Sequence, residues 1–280
     1  MKFTKMQGVG NDYVYVDCFS ENLPESERPI VARRAADRHF GIGSDGLICI
    51  CPSEIADFKM DMYNADGSQG IMCGNGIRCL AKYVYDRGLT EKTMLSIETG
   101  CGLRNVRMKT ENGKVTTVTV DLGRPDFTPF AVPVLDKGDN FISRKLEVAG
   151  REWTVTALSV GNPHLVVFVD EDVDTLDLEA LGPQFENHPL FPKRINTEFV
   201  NILPDKSLKM RVWERGSGET LACGTGAVAG VAAAIAQGLA ELNTDVHLPG
   251  GTLQVFWDNE ANRIYLTGPA AFVYDGELPD

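Results

Sequence analysis

The chain carries an internal repeat at an offset near 150 residues, and this limits its fold more than any other feature. FKMDMYNADGSQGIMCGNGIRC (58–79) lies over LKMRVWERGSGETLACGTGAVA (208–229). Lys59/Lys209, Met60/Met210, Cys73/Cys223, Gly74/Gly224 and Gly76/Gly226 are identical at that offset, and Tyr63 faces Trp213. Upstream, VGND (9–12) before VYVD matches VGNP (160–163) before LVVFVD. Downstream, ETGCGLRNV (98–106) lies over LPGGTLQVF (248–256), and LGRP (122–125) lies near LTGP (266–269). Gly-rich turns resemble one another in many proteins, but that does not explain Lys-Met and Cys recurring in register. The expected fold class is therefore α/β (α+β), in two pseudo-symmetric halves with an active site in the cleft between them. The halves are residues 1–122 plus 268–280, carrying Cys73, and residues 123–267, carrying Cys223.

Local pattern fills in each half. DYVYVD (12–17), GLICIC (46–51), KVTTVTVDL (114–122), LVVFVD (165–170) and LQVFW (253–257) have the β-branched and aromatic density of strands. RPIVARRAADRHF (28–40) and IRCLAKYVYDRGL (77–89) have helical spacing. GAVAGVAAAIAQGL (226–239) is apolar nearly all round, which predicts a helix buried in a core. Each half is expected to wrap β-structure around one such helix, 77–89 or 226–239, beginning just after Cys-Gly-x-Gly. DKGDNF (136–141) reads as an exposed connection, and a strand after 268 is expected to rejoin the first half.

Composition narrows the function classes. A net charge of -12 disfavours nucleic acid and anionic membrane surfaces as partners. No apolar run reaches bilayer length, and the start reads directly as structured protein, so a cytoplasmic location is expected. Seven cysteines without a secretion signal argue against a disulfide framework. Their spacings and the scattered histidines do not suit a metal site, so most read as small buried hydrophobes.

Cys73 and Cys223 are different because they repeat. At a helix N-terminus, unpaired N–H groups and the helix dipole favour negative charge, which predicts a lowered thiol pKa. The N–H groups of Gly74, Asn75, Gly224 and Thr225 can cradle a carboxylate, and the glycines permit close approach. One Cys-Gly alone reads equally well as a packed thiol on a turn. Two copies facing one ligand suit inversion at carbon, where one thiolate removes a proton and the other thiol returns one. A cysteine hydrolase has no use for a symmetric second thiol.

These motifs closely resemble the diaminopimelate epimerase family of cofactor-independent, two-cysteine amino-acid racemases and epimerases. The resemblance runs from KMQGVGNDYVYVD through NADGSQGIMCGNGIRC, GNPH, INTEFV and WERGSGETLACGTGA to GPAAFVYDG. It implies two pseudo-symmetric domains, no cofactor (neither pyridoxal phosphate nor metal), and Cys73 and Cys223 as the acid–base pair. It implies that Gly74, Asn75, Gly224 and Thr225 hold the reacting carboxylate. Asn64, Asn162, Asn196 and Arg215 would hold the distal amino-acid end, with Asn11 lining the site. Glu214 would also lie at the substrate and, with His164, tune the thiols. The implied reaction interconverts LL- and meso-diaminopimelate for lysine and peptidoglycan precursor synthesis, in a homodimer that Tyr274 helps to form. The chain departs from one family pattern: the loop GIGSDG (41–46) has Gly46 where some members have a substrate-contacting glutamine.

Read singly, His164 suits a structural hydrogen-bonding histidine, Glu214 a solvated strand end, and Tyr274 an ordinary strand tyrosine. Asn11, Asn64 and Asn162 suit turns. Alternatives for the whole are the same chemistry on another amino acid, a non-catalytic amino-acid binder, and a redox-sensing dithiol.

Overall fold

The computed structural model describes residues 1–278. They divide into two compact units, Met1–Asp121 with the C-terminal stretch from Thr267, and Leu122–Leu266. In the first unit β1 (Lys2–Gly8) and β2 (Asn11–Asp17) precede α1 (Arg28–Ala36), β3 (Gly46–Cys51), β4 (Phe58–Asn64) and β5 (Gln69–Gly70). Then come α2 (Gly74–Asp86), β6 (Met94–Thr99), β7 (Gly102–Glu111) and β8 (Lys114–Gly123). The second unit holds β9 (Phe141–Val148), β10 (Arg151–Ser159), β11 (Pro163–Phe168), α3 (Leu178–Glu186), β12 (Asn196–Ile202), β13 (Leu208–Glu214) and β14 (Gly218–Thr220). It continues through α4 (Gly224–Ala236), β15 (Asn243–Leu248), β16 (Gly251–Asp258) and β17 (Arg263–Gly268), after which β18 (Ala271–Glu277) belongs to the first unit. The chain is thus a mixed α/β protein dominated by strands.

The repeat extends to strand pairing. β2 runs parallel to β3, β3 antiparallel to β4, and β4 parallel to β6, which turns back antiparallel into β7. β11, β12, β13, β15 and β16 follow the same order of senses. β1 lies antiparallel to β2, as β10 does to β11. The next strand outward is supplied differently. β9, just upstream in sequence, pairs with β10, whereas β1 pairs with β18 from the far end of the chain (Lys2↔Glu277).

Helix ends differ from the sequence pattern for identifiable reasons. α1 stops at Ala36 rather than near 40 because the Asp37 carboxylate accepts from the His39 and Phe40 N–H groups, turning the chain. α2 and α4 begin inside Cys-Gly-x-Gly, not after it, because the cysteine is itself the N-cap. Its sulfur accepts from the third residue's N–H, at 3.2 Å from Gly76 and 3.4 Å from Gly226. α4 is buried from Gly226 to Ala234, as an all-round apolar helix should be. Each buried Val on it contributes roughly 1.5–3 kcal/mol. Around β9–β13 the second unit packs Trp153, Phe185, Phe199 and Trp213, with Phe185 and Phe199 edge-to-face at 5.3 Å. The first unit packs Val14, Val16, Leu47 and Cys49 under Ala32 and Ala35 of α1. Residues 136–140 lie in a connection that contains no strand, and Phe141 opens β9 buried. Among the described residues no helix is long and apolar enough to cross a membrane.

Candidate active site

In the first unit the candidate side chain is Cys73, partly exposed at the tip of α2. Its thiol donates to Asn11 Oδ1 at 3.1 Å. Asn11, at the start of β2, is oriented by Asp45, whose Oδ2 accepts from the amide nitrogen at 2.6 Å and from the Asp12 N–H at 3.0 Å. Asp45 is in turn paired with Arg38 at 3.1 Å. Burial raises the Asp45 pKa against these donors. Asn64 ends β4, with its amide donating to Ser68 Oγ at 2.9 Å. Gly74 and Asn75 are the first two residues of α2 and both are buried. Gly76 sits in close approach: a Cβ there would lie 2.6 Å from Ile48 Cδ1 and 3.3 Å from Cys73 Cβ.

Gly46 explains the missing glutamine. It pairs with Asn64, at φ 158°, and a Cβ would stand 2.1 Å from the Tyr63 carbonyl oxygen. No side chain fits there, so whatever that position offers a ligand comes from backbone or from its neighbour Asp45.

The second unit builds a different surround on the same frame. Cys223 is buried and caps α4. Its sulfur lies 3.5 Å from Thr225 Oγ1, which accepts from Asn162 Nδ2 at 3.2 Å. Asn162 Oδ1 faces His164 Nε2 at 3.0 Å, and His164 Nδ1 meets Glu198 Oε1 at 2.7 Å, both side chains being fully buried. A hydrogen-bonded chain thus runs from Glu198 to the thiol. Glu214 accepts from Thr220 Oγ1 at 2.5 Å, and burial raises its carboxyl pKa against hydrogen bonds from Thr220 and Cys223.

Asn196 is buried and engaged by backbone at both ends of its amide, Pro163 O at 2.8 Å and the Arg215 N–H at 2.9 Å. It therefore ties β11 to the end of β13. Arg215 is exposed and donates to the Lys193 carbonyl at 3.1 Å. Tyr274 lies apart on β18, 45% exposed, with its ring edge-on to Phe3.

One expectation from the cap position is overturned at Cys223. Its thiol pKa is pushed well up, by burial first and then by the Glu214 and Glu198 carboxylates. Thr225 and the Gly226 N–H pull the other way and lose. At this cysteine burial and nearby carboxylates outweigh the helix terminus. Cys79, on the core side of α2, is fully buried and pushed up to about 11 by desolvation.

Three residues here were not picked out from sequence. Glu198 sits in a strand of otherwise ordinary composition, and Asp45 looks like a turn residue. Arg78 looks like a solvated helix position but is fully buried. The legible signal was the repeat itself: at offset 150 Glu198 stands over Ile48 and Arg78 over Val228, a charged side chain against an apolar one each time.

The family model described as diaminopimelate epimerase matches residues 3–128 and 156–273. A diaminopimelate epimerase of Acetivibrio thermocellus is 50% identical over 278 residues, covering 99% of this chain and 98% of the relative. Another, of Agathobacter rectalis, is 53% identical over 285 residues and covers 99% of both. Among solved structures, a Bacillus anthracis phenazine biosynthesis protein of the PhzF family aligns with a TM-score of 0.72 at 18% identity, over 100% of this chain and 99% of that one. A hydroxyproline epimerase of Agrobacterium vitis aligns at 0.73 and 14%, over 99% and 91%. These two show a shared fold. With a family model spanning most of its length and relatives at half identity end to end, the chain belongs to the diaminopimelate epimerase family of isomerases.

Proposed function

We propose that the chain interconverts LL- and meso-2,6-diaminopimelate, with Cys73 and Cys223 as the two acid–base groups at one α-carbon. One thiolate removes the α-proton and the other thiol delivers a proton to the opposite face, so the centre inverts and the proton count of the pair is conserved. The observation that carries this reading is the duplicated cysteine N-cap, with each sulfur held by the third N–H of its own helix. The first N–H groups of α2 and α4, at Gly74, Asn75, Gly224 and Thr225, favour a bound carboxylate and the negative charge that develops on it as the proton leaves. Asn11, whose Oδ1 meets the Cys73 thiol, lines the site. Asn64, Asn162, Asn196 and Arg215 serve the distal amino-acid end, with Glu214 also at the substrate, an amide-rich and charged set suited to a zwitterion. His164 and Glu214 set the proton balance of Cys223. The two thiols differ in protonation at every stage and titrate as a coupled pair.

The reaction belongs to lysine and peptidoglycan precursor synthesis in the cytoplasm, where reduced thiols persist. All seven cysteines are free of disulfides. A homodimer using β18, where Val273 and Tyr274 are exposed, completes the proposal. Sedimentation of wild type and Tyr274→Ala tests that part, and a monomeric wild type would end it.

The chemistry is tested by incubating the protein with LL-diaminopimelate in deuterium oxide without added cofactor. Deuterium should appear at one α-carbon as the meso isomer forms. Cys73→Ala and Cys223→Ala should each lower the rate by roughly 10²–10⁴-fold or more. Full activity in either variant would overturn the two-base reading. Faster turnover of another amino acid in competition would overturn the substrate.

A further inference from the structure

Asn11 and Asn162 stand at equivalent places in the repeat, VGND against VGNP, and their amides are turned opposite ways. In the first unit Asn11 Oδ1 accepts from the Cys73 thiol at 3.1 Å, and the amide nitrogen points back to Asp45 Oδ2 at 2.6 Å. In the second unit it is Asn162 Oδ1 that points back, to His164 Nε2 at 3.0 Å. The Asn162 nitrogen points forward, donating to Thr225 Oγ1 at 3.2 Å, and that hydroxyl meets the Cys223 sulfur at 3.5 Å. An amide has one accepting end and one donating end, so whatever holds one end decides what the other offers.

In the first unit the amide is held by a carboxylate, which only accepts. Asp45 is itself fixed from three directions. Its N–H donates to the Asp12 carbonyl at 2.7 Å, its Oδ2 accepts from the Asp12 N–H at 3.0 Å, and its Oδ1 accepts from Arg38 Nη2 at 3.1 Å. At offset 150 the place of Asp45 is taken by the fully buried Ile195, and the second unit holds its amide by a histidine instead. The other titratable groups around the first turn of α2 are engaged elsewhere. Lys5 of β1 pairs with Asp12 at 2.6 Å, and Tyr15 of β2 donates to the Gly76 carbonyl at 3.0 Å. On α2 itself Arg78 donates to the Gly74 and Pro269 carbonyls, and Cys79 is buried. β3 presents the apolar Ile48.

We propose that Asp45 is a positioning residue for the reaction: by taking the Asn11 amide nitrogen it turns the amide oxygen to Cys73 and favours the protonated thiol there. A hydrogen bond accepted from the neutral form of a group opposes its ionisation. With the amide reversed, an N–H would meet the sulfur and favour the thiolate, the sense in which Thr225 acts on Cys223. This rests on the reading of Cys73 as an acid–base group. The test below measures the charge of the thiol and not turnover, so either can fail without the other.

The experiment follows alkylation of Cys73 by iodoacetamide, read by peptide mass spectrometry, in the full chain carrying Cys223→Ser. With Asp45 intact, the rate should rise roughly twenty-fold or more from pH 7 to pH 9, as for a thiol of ordinary or weakened acidity. A rise of less than about threefold overturns the proposal without any change at residue 45. Asp45→Ala frees the amide to turn, and should quicken the pH 7 reaction about fivefold, with the gap closing near pH 10. In an Asn11→Ala background the same Asp45→Ala change should alter the rate less than about twofold, because its effect is carried by the amide. A folded Asp45→Ala that reacts like the parent overturns the proposal. So does an equal acceleration with and without Asn11, which would make Asp45 a charge acting directly on the sulfur.

Discussion

The two helix tips, α2 with Cys73 and α4 with Cys223, share a backbone device and differ in everything placed beneath it. Each cysteine caps its helix through sulfur, and each third-position glycine is pressed by a side chain from the neighbouring strand. Under Gly76 that side chain is Ile48, and under Gly226 it is Glu198, paired with His164. Asn64 of the first unit becomes Glu214 in the second, and the buried cation Arg78 becomes Val228. The proposed two-base reaction needs two thiols of similar placement and opposite protonation. The repeated cap is common to both, whereas burial and carboxylates that raise the thiol pKa are found around Cys223.

Exchanging the residues beneath the glycines breaks this division most severely. Glu198→Ile, which copies the first unit into the second, leaves the buried His164 ring without its carboxyl partner. It should cost about 3–5 kcal/mol of stability, the range for breaking a buried pair. Ile48→Glu inserts a carboxyl under α2 with no histidine beside it and should cost a similar amount. Chemical denaturation of both variants checks this. Loss of less than about 1 kcal/mol in Glu198→Ile would mean that water or backbone satisfies His164 and that the pair is not a structural unit.

A smaller change separates the two pockets by stiffness. A Cβ on Gly76 meets the tip of Ile48 at 2.6 Å, and one on Gly226 meets Glu198 Oε1 at 2.7 Å. The isoleucine terminus can rotate away, whereas Glu198 is pinned by His164 at 2.7 Å. Overpacking costs typically 1–3 kcal/mol, so Gly226→Ala should lie near the top of that range and Gly76→Ala near the bottom. Thermal melts of the two variants give the order directly, and a reversed order would show that the Glu198 side of the frame is the more yielding one.

Much of this was readable in the chain because repetition, β-density and the Cys-Gly-x-Gly motifs are local or periodic signals. The matching strand order of the two units follows from them, as does the burial of α4. What escaped was set by tertiary burial. Arg78 sits in a helical pattern where an arginine ordinarily faces water, yet it is fully buried, with Gly8 close to its Nη2. Glu198 lies in INTEFV, where strand alternation does not distinguish a carboxylate facing a histidine from one facing solvent. The start of α2 and α4 was misplaced because cysteine is an uncommon cap beside Ser, Thr, Asp and Asn. The acidity of Cys223 was misjudged because the helix dipole is visible in sequence and desolvation is not.

The finest prediction concerns that acidity. Glu198→Gln keeps the shape and a hydrogen bond to His164 but removes one of the two carboxylates that raise the Cys223 pKa. Burial, the larger cause, stays in place, as does Glu214. The thiol should therefore come part of the way down, and alkylation of Cys223 in a Cys73→Ser background should quicken several-fold at pH 8. Stability moves in the corresponding sense. A thiol raised on folding contributes stability that is fully present below the ordinary thiol range and is lost as pH rises through the elevated folded value. Wild type should thus lose stability above about pH 8.5, and Glu198→Gln should lose less of it over the same interval. Glu214→Gln should do the same more strongly, since Glu214 is the larger of the two carboxylate contributions. An unmoved alkylation profile in Glu198→Gln would mean that Glu198 acts on Cys223 only through the hydrogen-bonded chain of His164, Asn162 and Thr225.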